Sequence, residues 1–148
     1  MKEVDIDTIT IPMRDGNDAE VKVFVHTPQK KSDGKRAAFV YAHGGGAIAN
    51  TAENTLAWAS YQASLGDVVV FNVEYRLLPE HTAQQYSMDM VVAIKYAYEN
   101  AEKFGIDKNK IALGGESGGG LVVMATGTQL AVRGESGYLK LIMPEVGI

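Results

Sequence analysis

Residues 111–120 read IALGGESGGG, and they join a short apolar run, Ile111–Leu113, to a helical pattern that extends from Ser117 to about Val132. Within this stretch, Gly115-Glu116-Ser117-Gly118-Gly119 fits the pattern G-x-S-x-G. Between a strand and a helix, this pattern forms a sharp turn that exposes the serine hydroxyl at the carboxyl edge of a sheet, and small neighbours let the two elements approach closely. We therefore expect Ser117 to be a nucleophile. The alternative is a simple crossing of strand and helix at small residues.

A second glycine cluster, His43-Gly44-Gly45-Gly46, follows the apolar run Ala37–Ala42 and precedes a helical pattern. Glycines in such a loop let backbone N–H groups turn inward, where they can stabilise the oxyanion of a tetrahedral intermediate. The residue after the serine, Gly118, would supply the complementary N–H donor. The two glycine loops together predict an oxyanion hole beside Ser117.

The same cluster also matches a dinucleotide-binding fingerprint, Gly44-x-Gly46-x-x-Ala49, with Glu74 as the acid that would bind a ribose. Glu74, however, lies 28 residues beyond Gly46, whereas the fingerprint places its acid about 20 residues on. A dinucleotide site would also leave the serine turn unexplained. The dinucleotide-binding interpretation is therefore weaker than the oxyanion-hole interpretation.

The order of the elements predicts the fold class. Residues 4–12 and 19–25 alternate apolar and polar side chains around the turn Arg14-Asp15-Gly16-Asn17, which favours a β-hairpin. Four short apolar runs have the pattern of strands buried on both faces: Ala37–Ala42, Val68–Val73, Ile111–Leu113 and Leu139–Met143. Between them are helical patterns that end at Gly66, at Gly105 and near Val132. We expect one α/β domain over residues 1–148, with a mostly parallel sheet, an N-terminal antiparallel hairpin and helices on both faces.

Composition excludes several classes of function. The chain has 148 residues, a net charge of −4 and no cysteine, which excludes disulfides, thiolate zinc sites and a thiol nucleophile. The negative charge argues against binding of nucleic acid or an anionic membrane. No apolar run approaches the ~18 residues of a spanning helix, and no secretory signal is visible. We expect a cytoplasmic protein without a metal or cofactor.

A third motif, Tyr75-Arg76-Leu77-Leu78-Pro79-Glu80-His81, follows the run Val68–Val73. The three motifs HGGG, YRLLPEH and GESGG occur in this order, with 74 residues from His43 to Ser117. Over about residues 20–144 this arrangement resembles the hormone-sensitive-lipase-like branch of the α/β-hydrolases, which includes arylacetamide deacetylases and microbial carboxylesterases. The lead-in to the serine turn, residues 107–111, fits the same branch.

The resemblance implies hydrolysis of small carboxylic esters, typically with short acyl chains, through a serine acyl-enzyme and without a cofactor. It implies that Ser117 is the nucleophile, and that the oxyanion donors are Gly44, Gly45 and Gly118. It further implies that three residues support the site structurally, namely His43, Arg76 and Glu80.

Two parts of the family's catalytic triad are not found after the serine turn. The family places an acid and then a histidine beyond that turn, but Ser117 is followed by no histidine and by only two acids, Glu135 and Glu145. We expect the chain to contain the N-terminal two-thirds of the fold, truncated after the strand that follows the helix beginning at Ser117. Since losing the histidine costs a serine hydrolase about 10⁶-fold in turnover, we expect little activity from this chain alone.

The chain contains three histidines, of which one is a candidate for the missing base. His26 lies in the predicted hairpin and is expected at the surface or at an edge, and His43 opens the glycine loop. His81 is a weak candidate base, because its loop lies at the carboxyl end of the sheet. None of the three has a partner at metal-ligand spacing.

Two hypotheses remain open at this stage. The chain is either an esterase that lacks part of its machinery, or a non-catalytic module that binds esters or a partner through the same pocket. In either case the strand at residues 139–143 would have an open edge. We expect a homodimer or a domain-swapped assembly that uses this edge.

Overall fold

The structure is a computed structural model that describes residues 3–13 and 19–145. The predicted turn Arg14–Asn17 lies outside the described residues. The strands and helices, in chain order, are β1 Val4–Pro12, β2 Glu20–Pro28, β3 Arg36–Ala42, α1 Leu56–Gly66, β4 Val69–Glu74, α2 Ala83–Glu99, β5 Ile106–Glu116, α3 Gly118–Val132 and β6 Leu141–Glu145.

The six strands form one sheet in the order β1-β2-β4-β3-β5-β6. β1 pairs antiparallel with β2, and β2 pairs antiparallel with β4. β4, β3, β5 and β6 are mutually parallel. The predicted α/β fold, with an antiparallel hairpin at the start of a mostly parallel sheet, is confirmed.

Helices cover both faces of this sheet, as predicted. α1 packs on one face, where Ala59 and Ala63 contact Tyr41 of β3 and Val70 of β4. α2 and α3 pack against each other and lie on the opposite face, over the larger apolar cluster. The carboxyl ends of β3, β4 and β5 therefore meet at one edge of the sheet, where parallel sheets commonly carry their binding sites.

Two element ends differ from the sequence prediction. α1 includes Gly66, and the left-handed residue that follows it is Asp67, with φ 51° and ψ 46°. Aspartate tolerates this conformation better than most residues, and its carboxylate is held by Arg36 at 3.2 Å. α2 ends at Glu99, six residues before Gly105, because the intervening segment forms turns.

The last strand also departs from prediction. β6 spans Leu141–Glu145 rather than residues 139–143, and all five of its residues are exposed, not buried on both faces. Among the described residues, no strand pairs with its outer edge. On the α1 side, the neighbouring strands are also uncovered, which leaves an apolar groove of about 420 Å³ lined by residues that include Phe39, Ile111 and Met143.

The expectation that His26 lies at the surface or an edge is wrong. It is fully buried in β2, paired on its two sides with Ile6 and Val70. Its Nδ1 lies 2.9 Å from the hydroxyl of Ser60 on α1. Burial lowers the pKa of His26 to about 4, because charging the ring in an apolar interior is costly.

Candidate active site

Ser117 lies between β5 and α3 in a strained backbone conformation, with φ 53° and ψ −121°. A positive φ of this size is uncommon for a residue with a side chain. The turn is possible because its neighbours lack side chains: a Cβ added at Gly119 would lie 2.1 Å from the carbonyl oxygen of Ala42. The Ser117 residue is exposed at the carboxyl edge of the sheet.

The glycine loop, residues 43–46, lies directly against this serine turn. A Cβ added at Gly118 would lie 2.2 Å from the backbone nitrogen of Gly46, and one added at Gly44 would lie 3.6 Å from the Cβ of Ser117. The third motif joins the same cluster, since the N–H of Leu78 donates to the carbonyl of Ala47 at 2.8 Å. The fold thus brings the three sequence motifs together.

The first peptide group of the glycine loop is engaged at both its C=O and its N–H, and the second is engaged at its C=O. The hydroxyl of Tyr75 donates to the carbonyl of His43 at 2.5 Å, and the N–H of Gly44 lies 3.2 Å from Oε1 of Glu116. The carbonyl of Gly44 accepts from Nδ2 of Asn50 at 3.2 Å and lies 2.8 Å from Nδ1 of His43. Gly44 was expected to donate to an oxyanion, but its N–H is already engaged by Glu116.

The next two N–H groups of the loop are free. Within the described parts of the chain, the N–H groups of Gly45 and Gly46 donate to no acceptor. The N–H of Gly118 belongs to the first turn of α3, where N–H groups have no acceptor within the helix. The site therefore presents unpaired backbone donors from two loops beside one serine.

Glu116 is a residue that sequence reasoning missed. Its Oε1 accepts from the hydroxyl of Tyr41 at 2.5 Å as well as from Gly44. Burial, together with the neighbouring Glu116 carboxylate, raises the pKa of Tyr41 and of Tyr75 well above the usual range. Both phenols therefore remain protonated hydrogen-bond donors at neutral pH.

Arg76 is held by a second missed residue, Asp89 of α2. The guanidinium contacts both carboxylate oxygens at 2.8–3.1 Å, and the N–H of Arg76 donates to Oδ2 at 2.8 Å. Burial raises the pKa of Asp89, while the bonds from Arg76 oppose that rise. Glu80 lies nearby but is exposed, and it makes no hydrogen bond or ion pair with any described residue. Arg76 thus joins its loop to α2, and a supporting role for Arg76 and Glu80 in the site stays a prediction.

His43 makes no hydrogen bond to the Ser117 hydroxyl. Its ring is buried and stacks on Tyr75 with a centroid distance of 4.4 Å, and its Nε2 lies 3.9 Å from Glu74. Glu74 itself accepts from the N–H of Ala52 at 2.9 Å. His81 is partly buried in the loop after β4. Over residues 3–13 and 19–145, no histidine or carboxylate hydrogen-bonds the Ser117 hydroxyl.

The two acids that follow the serine occupy different places. Glu135 pairs with Lys95 and Arg133, and the Lys95 partner is the main cause of its lowered pKa. The backbone carbonyl of Glu145 accepts from the N–H of Ser117 at 2.7 Å. The described residues contain no cluster of three potential metal ligands. None of their helices is long and apolar enough to cross a membrane.

Comparison with known proteins identifies the family. A family model described as the alpha/beta hydrolase fold matches residues 39–147, and the chain belongs to this family. It is 33% identical over 132 residues to an ethyl acetate hydrolase of Pseudomonas putida, covering 88% of this chain and 41% of that protein.

Two solved structures support the same assignment. A bacterial heroin esterase is 39% identical and superposes with a TM-score of 0.77, covering 89% of this chain and 40% of that one. Brefeldin A esterase, described as a bacterial homologue of human hormone-sensitive lipase, is 27% identical with a TM-score of 0.85, covering 97% and 40%. The predicted resemblance to the hormone-sensitive-lipase-like branch is confirmed. The chain spans between 29% and 41% of the length of the curated relatives it matches.

Proposed function

We propose that this chain carries the nucleophile and oxyanion half of a carboxylic ester hydrolase that acts through a serine acyl-enzyme. The observation that carries the proposal is the position of Ser117, in a strained turn beside unpaired N–H groups of Gly45 and Gly118. The names of the relatives, among them an ethyl acetate hydrolase, support a small ester as the substrate.

In this reaction the Ser117 hydroxyl oxygen attacks the ester carbonyl carbon while a base removes its proton. The carbonyl oxygen becomes an oxyanion, which accepts hydrogen bonds from the N–H groups of Gly45 and Gly118. The tetrahedral intermediate collapses, the alcohol leaves with a proton, and the acyl group remains on Ser117. Water then attacks the acyl-enzyme and releases the acid.

The reaction also needs a general base, and no histidine or carboxylate among the described residues hydrogen-bonds the Ser117 hydroxyl. Since His43 is engaged within its own loop and His81 makes no bond to Ser117, we expect acyl transfer by the chain alone to be slow. The same observation favours the second candidate function, a module that binds an ester without turning it over. Added imidazole can serve as the external base and separate the two functions.

The experiment follows the release of 4-nitrophenol from 4-nitrophenyl acetate, with and without imidazole. A parallel reaction with Ser117→Ala corrects for hydrolysis by imidazole itself. The proposal predicts that imidazole increases the release by the native chain above that of the variant, and that His81→Asn leaves this difference unchanged. Equal release by native chain and Ser117→Ala under both conditions, together with saturable ester binding, would establish the binding module instead.

The open edge of β6 supports a further part of this proposal, a homodimer. Ser117 donates its N–H to the carbonyl of Glu145 at 2.7 Å, so the backbone groups of Glu145 face β5. Because backbone groups alternate in direction along a strand, Ile142 directs its N–H and C=O to the open edge, whereas Leu141 and Met143 direct theirs to β5. Both side chains are about half exposed, as is that of Ile142 on the other face.

A second copy fits this edge in an antiparallel arrangement about a two-fold axis at Ile142. The two Ile142 residues then lie opposite each other and exchange two hydrogen bonds, and Leu141 of one copy lies opposite Met143 of the other as the neighbouring pair without hydrogen bonds. Pro144 falls at a position directed toward the open edge, where it has no N–H, so it offers a second copy only its carbonyl. A cytoplasmic location remains a prediction of the composition.

A further inference from the structure

The carboxylate of Glu116 has an unusual position for a group beside a site that must stabilise negative charge. Glu116 directly precedes Ser117, and its Oε1 accepts hydrogen bonds from Tyr41 and Gly44. A carboxylate near a developing oxyanion disfavours it through like-charge repulsion. The carboxylate must therefore contribute something that offsets this repulsion. Its two hydrogen bonds, to β3 and to the glycine loop, indicate that it holds the loop in place.

Gly44 is held from its other side by Asn50. The carbonyl of Gly44 accepts from Nδ2 of Asn50 at 3.2 Å, and Oδ1 of Asn50 accepts from the N–H of Thr51 at 2.9 Å. The second bond fixes the orientation of the Asn50 amide, so that its NH₂ group faces the glycine loop. Asn50 has a φ of 76°, a conformation that asparagine tolerates.

Holding the Gly44 carbonyl also sets the direction of the next N–H group. The peptide unit is planar and trans, so the C=O of Gly44 and the N–H of Gly45 point in opposite directions. Asn50 and His43 hold the carbonyl on one side of the loop, which leaves the Gly45 N–H on the other. Glu116 fixes the preceding N–H, so both ends of Gly44 are restrained.

We propose that Glu116 and Asn50 are positioning residues that hold Gly44 from both sides and thereby direct the Gly45 N–H into the oxyanion hole. The inference rests on the proposed function, because it assigns these residues a role in that same site. Neither residue takes part in bond making. Glu116 acts through Gly44, and Asn50 acts through the peptide that joins Gly44 to Gly45.

The test uses the native chain labelled with ¹⁵N-glycine and measures amide hydrogen exchange and chemical shifts at Gly44 and Gly45. Glu116→Ala is expected to accelerate exchange at Gly44 at least about tenfold, the loss expected for a hydrogen bond to a charged acceptor. Glu116→Gln keeps an oxygen acceptor and should restore most of the protection. Asn50→Asp removes the NH₂ donor while tolerating the same φ, and should shift the Gly45 resonance.

A matched control removes another carboxylate from the same edge. Glu145 is the partner of Glu116 in the β5–β6 register, and its side chain is exposed. Glu145→Gln should change neither the Gly44 nor the Gly45 amide. Unaltered Gly44 exchange in Glu116→Ala, or an unaltered Gly45 shift in both the Glu116→Ala and Asn50→Asp variants, would overturn the proposal.

These measurements do not depend on catalysis, so they separate the inference from the proposed function. If Ser117 is never acylated but the Gly44 and Gly45 amides respond as expected, the proposed function is wrong and the positioning role of Glu116 and Asn50 is supported. If Ser117 is acylated and the amides do not respond, the positioning role alone fails. Should Glu116→Ala fail to fold, Asn50→Asp decides through the Gly45 resonance, because it removes the donor to the Gly44 carbonyl; an unaltered Gly45 shift in this variant would overturn the proposal.

Discussion

Arg76 and Asp89 form a bidentate ion pair that joins the loop after β4 to the middle of α2. The Asp89 side chain is 1% exposed, and that of Arg76 is 17% exposed. The backbone N–H of Arg76 donates to the same carboxylate. The pair therefore fixes the loop whose next residues contact the glycine loop through Leu78 and Ala47.

Breaking this pair from the arginine side should be costly. Arg76→Met leaves the buried Asp89 carboxylate without its cationic partner, and we expect the free energy of unfolding to fall by about 3 kcal/mol. Urea denaturation measures this change. Arg133→Met, which breaks a more exposed pair with Glu135, is the control and should cost far less. Equal losses in the two variants would contradict a structural role for the buried pair.

The stability of the fold should depend on pH through His26. Its pKa is about 4 in the folded chain and about 6.5 when unfolded, so the unfolded state binds more protons between these values. The effect of His26 on the free energy of unfolding is therefore absent above about pH 6.5. As the pH falls toward 4, protonation of His26 in the unfolded state lowers the free energy of unfolding by up to about 3 kcal/mol. His26→Asn should remove this part of the slope in urea titrations at several pH values. Parallel curves for the two proteins would show that His26 is not the group responsible.

The close contact at the serine turn should not tolerate a methyl group. Gly119→Ala places a Cβ 2.1 Å from the carbonyl oxygen of Ala42, and a backbone atom cannot move aside as a side chain can. We expect a loss of about 3 kcal/mol in unfolding free energy. Gly34→Ala meets no atom within 4 Å and should leave stability nearly unchanged. A fully stable Gly119→Ala protein would mean that strand and helix lie farther apart than described.

The proposed dimer predicts a sensitive position on β6. Met143→Glu puts two like charges into the β6–β6 interface, opposite Leu141 of each partner copy, and should yield a monomer in sedimentation equilibrium. Leu65→Glu, on the exposed face of α1, makes the same kind of change elsewhere and should leave the dimer intact. A native chain that sediments as a monomer at all accessible concentrations would rule the interface out.

The serine turn and the glycine loop could be predicted from sequence because each rests on local patterns. The turn is predicted by a local pattern, in which Ser117 and its flanking glycines lie between an apolar run and a helical pattern. This prediction needs no information about which strands pair in the sheet. Strand and helix periodicity likewise predicted the sheet and its layers.

The role of Glu116 could not be predicted, because it depends on the register between two strands that are distant in sequence. Tyr41 and Ala42 pair with Gly114 and Gly115, and only this alignment brings the Glu116 carboxylate to the glycine loop. Asp89 left a usable signal, an acid among the apolar positions of α2 near Tyr86 and Met90. His26 was misplaced because a hairpin strand was assumed to be peripheral, whereas β2 is interior to the sheet.

In the proposed reaction, Ser117 is the residue that accepts the acyl group. The most direct test incubates the chain with 4-nitrophenyl acetate and imidazole, quenches in acid, and locates acetylated residues by peptide mass spectrometry. Ser136, exposed in a short 3-10 helix away from the site, serves as the internal control serine. We expect acetylation of Ser117 well above that of Ser136. Equal labelling of the two serines, or none at Ser117, would contradict this expectation.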